Sequence, residues 1–261
     1  MRRIMLIVAY DGTNYCGWQV QPNGITIEGV LNRELSRILK EEIKVIGASR
    51  TDAGVHALGN TAVFDTSARI PADKVALALN QGLPDDIRIQ HSMEVAPDFH
   101  PRHCESRKVY EYHVYNHSFD NPIGRQYHYF VHRPLEISAM QEAAAYFVGT
   151  HDFKSFCNIH TCVETTTRTI YECRVEKEQY KITIHIEGNG FLYNMVRIIA
   201  GTLIEVGNGL RKPAEIIDIL AERNREAAGK TAPARGLQLV EIQYQSEWFQ
   251  PQNGRKNTKN G

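Results

Sequence analysis

Three side chains that could take part in chemistry lie close together near the start of the chain: Arg50, Asp52 and His56, within residues 49–57. The flanking residues 44–48 and 61–64 are strand-like, whereas the stretch between them has no apolar alternation. Polar side chains on a glycine-containing turn between strands suit a reactive loop on a rigid frame. On spacing alone, a hairpin turn in which Asp52 caps its own backbone is the better interpretation.

A second group, Cys157, His160 and Cys162, has spacing that suggests a metal site. Structural zinc sites usually bring their ligands in two close pairs, and the sequence has no second close pair. Five cysteines are an odd number, which argues against a disulfide framework. The glycine patterns of nucleotide-binding loops are also missing. We therefore expect free thiols, no metal and no cofactor.

The elements that must position these side chains are predicted from apolar periodicity and turn residues. In the first half we expect a buried strand over 2–10, a helix over 27–39 behind Thr26, a helix that begins at Pro71 and a strand over 87–89. Apolar residues of the helix over 27–39 recur at helical offsets, which predicts a side that faces the core.

The second half repeats this order loosely. Its strands are predicted over 109–115, 127–132, 168–177, 180–188 and 237–244, with Glu178 and Gln179 as a hairpin turn. Its helices are predicted behind Ser138 as the N-cap, with Met140, Ala144, Phe147 and Val148 inside, then over 195–206 and from Pro213 to Arg223.

This order predicts two α+β halves, each a sheet with helices on one face, and a cleft between the halves. We place the first half at 1–103, the second at 104–246, and a polar, disordered tail at 247–261.

Composition is that of a soluble globular protein, with 42% hydrophobic and 23% charged residues. No signal peptide or run of about 18 apolar residues is present, so we expect a cytoplasmic protein. Thirty basic and thirty acidic residues cancel. Residues 98–133 are nevertheless rich in arginine and histidine, and a neutral protein can carry a positive groove over phosphates. A solvated face of mixed charge is the alternative for this segment.

Several blocks together resemble the tRNA pseudouridine synthase A family. Residues 50–57 (RTDAGVHA) are similar to its signature, in which the aspartate is the catalytic nucleophile. The further blocks, in the family's order, are 10–19 (YDGTNYCGWQ), 107–112 (RKVYEY), 149–156 (GTHDFKSF), 190–197 (GFLYNMVR) and 232–237 (APARGL). They cover nearly the whole chain, from about residue 4 to about residue 244.

The resemblance implies two ferredoxin-like, RRM-like halves whose antiparallel sheets are joined, with helices on one face and an RNA-binding cleft on the other. It implies Asp52 as the nucleophile and Tyr110 as the ring that stacks on the uracil. Arg50 would steady the space that the base leaves, and Leu192 would supply apolar wall. Arg197 lies in an apolar stretch and should be paired if buried, and we expect Asp52 as its partner.

Each of these residues also has a structural interpretation. Tyr110 alternates with Tyr112 and Val114, which makes a good core face of a strand. Arg50 could be an ordinary surface arginine, and Arg197 could extend to solvent from its helix start. We expect His56 to be a structural imidazole bonded to backbone and leave it out of the catalytic set.

The family's activity is isomerisation of uridine to pseudouridine at positions 38–40 of the tRNA anticodon stem-loop, by a homodimer that acts on one tRNA. The alternative is a protein that binds and folds tRNA without catalysis. A glycosidase with paired carboxylates would need a second acid near Asp52, and no nearby motif supplies one.

Overall fold

In a computed structural model, the chain divides into two compact units. The structure describes residues 1–158 and 164–249, without the side chain of residue 247. Among the described residues, the first unit comprises 1–53, 57–106 and 242–249, and the second comprises 54–56, 107–158 and 164–241. The predicted domain bounds at 103/104 and 246/247 stay predictions.

The first unit is built on antiparallel strands. In chain order its elements are β1 (Arg2–Tyr10), α1 (Ile27–Leu39), β2 (Ile46–Gly47), β3 (His56–Thr66), α2 (Val75–Asn80) and β4 (Ile87–Val95). Strand β1 pairs antiparallel with both β3 and β4, and β2 pairs antiparallel with β3. Helix α1 has the predicted bounds, and the Thr26 hydroxyl caps it by accepting from the Gly29 N–H.

The second unit contains the remaining elements: β5 (Ser106–Asn116), β6 (Tyr129–Val131), α3 (Ile137–Ala145), β7 (Gly149–Asp152), β8 (Thr167–Glu178), β9 (Lys181–Gly188), α4 (Met195–Gly207), α5 (Glu215–Glu222) and β10 (Leu237–Tyr244), whose last residues belong to the first unit. Strands β7, β8, β9 and β5 pair antiparallel in that order, and β6 pairs parallel with β5. Helix α4 is almost wholly buried.

One face of the β5–β9 pair is covered and the other is partly open. Tyr112 and Val114 of β5, and Ile184 of β9, have at most 1% of their surface exposed. Alternate residues such as Glu111 and His185 lie on the opposite, partly exposed face. The predicted α+β class is confirmed.

Several element bounds differ from the predictions. Helix α3 begins one residue before Ser138, and its N-cap is Glu136, whose carboxylate accepts from the Ser138 N–H. The helix ends at Ala145, so Phe147 and Val148 lie beyond it. The hairpin turn lies at Gln179 and Tyr180, one residue later than predicted, with Gln179 in the left-handed region.

Other predicted elements are longer or shorter than expected. Strand β3 begins at His56, inside the polar stretch that we took as loop, and β4 extends to Val95. The segment behind Pro71 starts as a 3-10 turn before α2, and α5 begins at Glu215 behind Pro213. Strand β7 was not predicted.

At the end of the described residues, Ser246–Phe249 form a 3-10 helix whose aromatic rings pack on Phe99. Residues 250–261 of the predicted tail lie outside the described residues. In the part of the chain that the structure describes, no helix has the length and apolar character to cross a membrane.

Candidate active site

Buried polar groups of the first unit form hydrogen bonds to the loop that carries Asp52. We call residues 48–53 the Asp52 loop. The Asn60 side chain, fully buried, accepts from the Ser49 N–H at 3.2 Å and donates to the Ser49 carbonyl at 3.0 Å. The hydroxyls of Tyr10 and Thr51 are hydrogen-bonded at 2.7 Å. Buried polar groups that satisfy one another in this way fix a backbone in one position.

A second support for the Asp52 loop comes from Gly17 and Trp18. The Trp18 N–H donates to the Thr51 carbonyl at 3.0 Å, and the indole is 1% exposed. Gly17 has a φ of +85°, and a Cβ there would lie 2.6 Å from the Thr51 carbonyl oxygen. Only glycine allows both this conformation and this close approach. The resemblance block over 10–19 therefore contains three of the residues that support the loop, Tyr10, Gly17 and Trp18.

Side chains along the Asp52 loop alternate in exposure. Ser49 and Thr51 are buried, Arg50 is exposed and Asp52 is partly exposed. An extended segment with its buried side chains locked sends the intervening ones away from the core. The two predicted functional side chains therefore lie on the accessible side of a rigid loop, a setting that suits a carboxylate nucleophile.

His56 has a structural role. Its Nε2 lies 3.0 Å from the Gln126 carbonyl oxygen, and its ring packs edge-on against Tyr127 at 5.1 Å between centroids. The imidazole is 6% exposed. The expectation that His56 is bonded to backbone is confirmed.

In the second unit, Tyr110 and Phe191 form an aromatic corner. Tyr110 of β5 is 8% exposed, and its ring meets Phe191 edge-to-face at 5.2 Å. Gly188 makes room for Phe191, because a Cβ at 188 would lie 3.2 Å from its ring. Tyr110 shares the covered face of β5 with Tyr112 and Val114, so the burial predicted by its structural interpretation is observed.

Residues 189–197, which we call the Arg197 turn, hold Leu192 and Arg197 next to this corner. Leu192 is buried, and its carbonyl accepts from the Met195 N–H at 3.0 Å. Asn194 adopts the left-handed conformation, with φ +63°, at the start of α4. Its side-chain oxygen accepts from Arg197 Nη1 at 3.0 Å.

Arg197 also bonds to a distant segment of the same unit. Its Nε donates to the Ala232 carbonyl at 2.8 Å, and its own carbonyl accepts from the Ala232 N–H at 3.0 Å. These bonds hold the partly buried guanidinium in place. The predicted pairing of Arg197 with Asp52 stays a prediction.

Residues 232–236 tie several of these elements together. The Tyr112 hydroxyl donates to the Pro233 carbonyl at 2.8 Å, and burial raises the pKa of this phenol. Arg235 Nε donates to the His128 carbonyl at 3.1 Å. A Cβ at Gly236 would lie 2.7 Å from the Tyr112 ring. The block over 232–237 thus links β5 and α4, through the hydrogen bonds of Tyr112 to Pro233 and of Arg197 to Ala232.

One group of possible metal ligands lies on β8 and β9. Among the described residues, ligand atoms of Glu172, His185 and Glu187 lie within 4.8 Å of one another. Both carboxylates are already paired, Glu172 with Arg174 at 2.7 Å and Glu187 with Arg107 at 2.9 Å. We interpret this group as an ion-pair network. Cys157 is a buried free thiol, and His160 and Cys162 lie outside the described residues.

The basic, histidine-rich segment 98–133 does not form a single cluster of free cations. Arg107 is paired with Glu187 and lies 4.4 Å from the Tyr171 ring centroid. His128 pairs with Asp120 at 2.9 Å. The pKa of His100 is lowered by burial and by the nearby His103 and Arg102. The positive groove and the face of mixed charge both stay open as interpretations.

Comparison with known proteins identifies the class. The family model described as tRNA pseudouridine synthase matches residues 6–103 and 143–245. The chain therefore belongs to the tRNA pseudouridine synthase family, and it is an isomerase.

Individual relatives carry a more specific name. The chain is 48% identical over 244 residues to tRNA pseudouridine synthase A of Thermoanaerobacter sp. (strain X514), a match that covers 94% of this chain and 100% of the relative. The proteins of the same name from Brevibacillus brevis and Ruminiclostridium cellulolyticum are 48% and 49% identical, with the same coverage. The resemblance of the sequence blocks to this family is confirmed.

Proposed function

We propose that this protein isomerises uridine to pseudouridine in tRNA, at positions 38–40 of the anticodon stem-loop, with Asp52 as the nucleophile. The observation that carries the proposal is the match to the tRNA pseudouridine synthase family over both halves of the chain. Support from the site is the accessible carboxylate on a loop that buried groups hold rigid.

The reaction breaks the bond between N1 of uracil and C1′ of ribose and forms a bond between C5 and C1′. C5 loses a proton and N1 gains one, so the product has the same atoms as the substrate and no electrons are transferred. A carboxylate nucleophile can hold the intermediate while the base turns. The chemistry therefore requires positioning and charge rather than an oxidant.

The target uridine must leave its stack, which costs a few kcal/mol. In the proposal Tyr110 stacks on the displaced base, an interaction worth about 1–3 kcal/mol, and Leu192 lines the apolar wall beside it. Arg50, exposed on the Asp52 loop, steadies the space that the base vacates. Arg197 pairs with Asp52 and favours its ionised form.

The proposal includes a homodimer that acts on one tRNA, in the cytoplasm. Light scattering should give a mass of twice 29.7 kDa at micromolar concentrations. A single species of 29.7 kDa throughout that range would contradict the dimer.

The direct test is incubation with unmodified tRNA, without added metal or redox cofactor, followed by mapping of pseudouridine along the RNA. Pseudouridine at positions 38–40 with the wild type, and none with Asp52→Asn, is the expected result. Binding of tRNA with no pseudouridine would favour the alternative of a non-catalytic tRNA-folding protein. Activity that a chelator abolishes and zinc restores would contradict the absence of a metal.

A further inference from the structure

Arg168, the second residue of β8, is a cation whose hydrogen bonds go to backbone carbonyls. Its guanidinium is partly buried, and Nη1 donates to the carbonyls of Thr165 at 3.0 Å and Thr167 at 2.6 Å. Burial lowers the pKa of this arginine. No described carboxylate pairs with it.

Another arginine on the same strand shows the usual arrangement. Arg174, also partly buried, pairs with Glu172 at 2.7 Å and Glu176 at 2.9 Å. These carboxylates raise the pKa of Arg174, the opposite direction from Arg168. A cation removed from water without a counter-charge is unfavourable unless an anion joins it. Arg168 therefore has no carboxylate partner among the described residues, and its guanidinium can bind an external anion.

The position of Arg168 indicates which anion. A Cβ at Gly190 would lie 3.8 Å from Arg168 Nε, so the guanidinium lies against the Arg197 turn. Asn189 fixes this contact, since its N–H donates to the Thr169 carbonyl and its side chain accepts from the Thr169 N–H, both at 3.0 Å. Phe191, which follows Gly190, packs edge-to-face against the Tyr110 ring.

The geometry points to Arg168 as a phosphate-binding residue for the RNA strand beside the displaced uridine, which deepens the proposed function and rests on it. A guanidinium matches the geometry of a phosphodiester, and its Nε and Nη2 donate to no described protein atom. Phosphate contacts set the register of a nucleic acid on a protein, so Arg168 positions the strand whose base reaches Tyr110.

The test compares Arg168→Gln with Arg174→Gln in filter binding to tRNA between 50 and 200 mM salt. Glutamine removes the charge while its amide can still donate to the carbonyls of Thr165 or Thr167. We expect Arg168→Gln to weaken binding about tenfold at the lowest salt and to reduce the slope of log affinity against log salt by about 0.7–0.9. Arg174→Gln, whose charge is neutralised within the protein, should leave the slope unchanged.

Thermal unfolding and Arg168→Lys complete the test. Lysine keeps the charge, so the slope should return to that of the wild type. An unchanged slope for Arg168→Gln, with or without a lower Tm, would overturn the inference. So would an equal loss of slope in Arg174→Gln. Wild-type protein that binds tRNA but makes no pseudouridine would refute the proposed function separately, because the salt slope is measured without turnover.

Discussion

The Asp52 loop and the Arg197 turn both carry charged groups of the proposed site, but the residues that hold each region in place differ. Buried side chains of Tyr10 and Asn60 bond to the Asp52 loop from outside it. In the Arg197 turn, Arg197 itself bonds to Asn194 within the turn and to Ala232 outside it, and Asn189 bonds to Thr169 of β8.

This difference determines what a substitution should do in each region. On the Asp52 loop the functional side chain has a support that other residues supply, so removing Asp52 should leave the loop intact. In the Arg197 turn the functional side chain is itself part of the support, because its guanidinium bonds both Asn194 and Ala232. Loss of Arg197 should therefore reduce both activity and stability.

Among the substitutions that change the support of the two regions, the largest effect is expected for Arg197→Ala. The change removes a cation proposed to lie at the reacting centre, and the loss of one charge-stabilising group in an active site typically lowers kcat by about 10²–10³. It also removes the hydrogen bonds to Asn194 and Ala232, so the Tm should fall. Single-turnover pseudouridine formation and thermal unfolding measure the two effects.

The control is Arg225→Ala. Arg225 is also partly buried and donates to the backbone carbonyls of Ala228 and Gly229, with a pKa lowered by burial. This variant should lose stability and keep turnover within a few-fold. Equal activity in the two variants would show that Arg197 acts through folding alone.

A smaller effect on turnover, with a clear loss of stability, is expected for Gly17→Ala. Alanine at φ +85° is strained, and its Cβ would meet the Thr51 carbonyl oxygen at 2.6 Å. The Asp52 loop must shift to make room. Gly124→Ala is the matched control, since Gly124 has φ +81° and no atom within 4 Å of the added Cβ. It should show the conformational cost of about 1–2 kcal/mol alone. Denaturant unfolding and single-turnover rates measure this difference. Equal stability and equal rates in the two variants would contradict the account.

The smallest effect is expected for Thr51→Val, which removes the hydroxyl partner of Tyr10. The loss of this buried hydrogen bond should cost about 0.5–1.5 kcal/mol, and the loop should lose order. We expect a fall in kcat of several-fold with KM nearly unchanged. Thr51→Ser keeps the hydroxyl and should restore the rate. A valine variant with lower Tm but wild-type kcat would mean that the bond stabilises the fold without positioning Asp52.

The local parts of this structure could be predicted from the sequence. Helix α1 has both its predicted bounds and its Thr26 cap, because its apolar period and cap chemistry depend on neighbouring residues. The Ser138 cap was wrong for an equally local reason: Glu136 can also accept from a helix N–H, and it stands two residues earlier.

The parts that depend on distant partners could not be predicted from single positions. Nothing near Asn60 in the sequence indicates that its amide would bond Ser49, since the sheet has to bring the two together. In the same way, the need for glycine at position 17 depends on Thr51, which lies 34 residues later in the chain. The fold brings the Thr51 carbonyl oxygen to within 2.6 Å of the place that a Cβ of residue 17 would occupy. The family blocks mark such residues without giving the reason for them.

The central claim, that Asp52 acts chemically on a loop whose support lies elsewhere, is tested most directly by single-turnover pseudouridine formation in Asp52→Asn beside its affinity for tRNA. The amide keeps the shape of the side chain, and phosphate contacts from other residues provide most of the affinity. The account predicts no detectable turnover, with Kd and Tm close to the wild type. Turnover within about tenfold of the wild type, a barrier change of only about 1.4 kcal/mol, would contradict it.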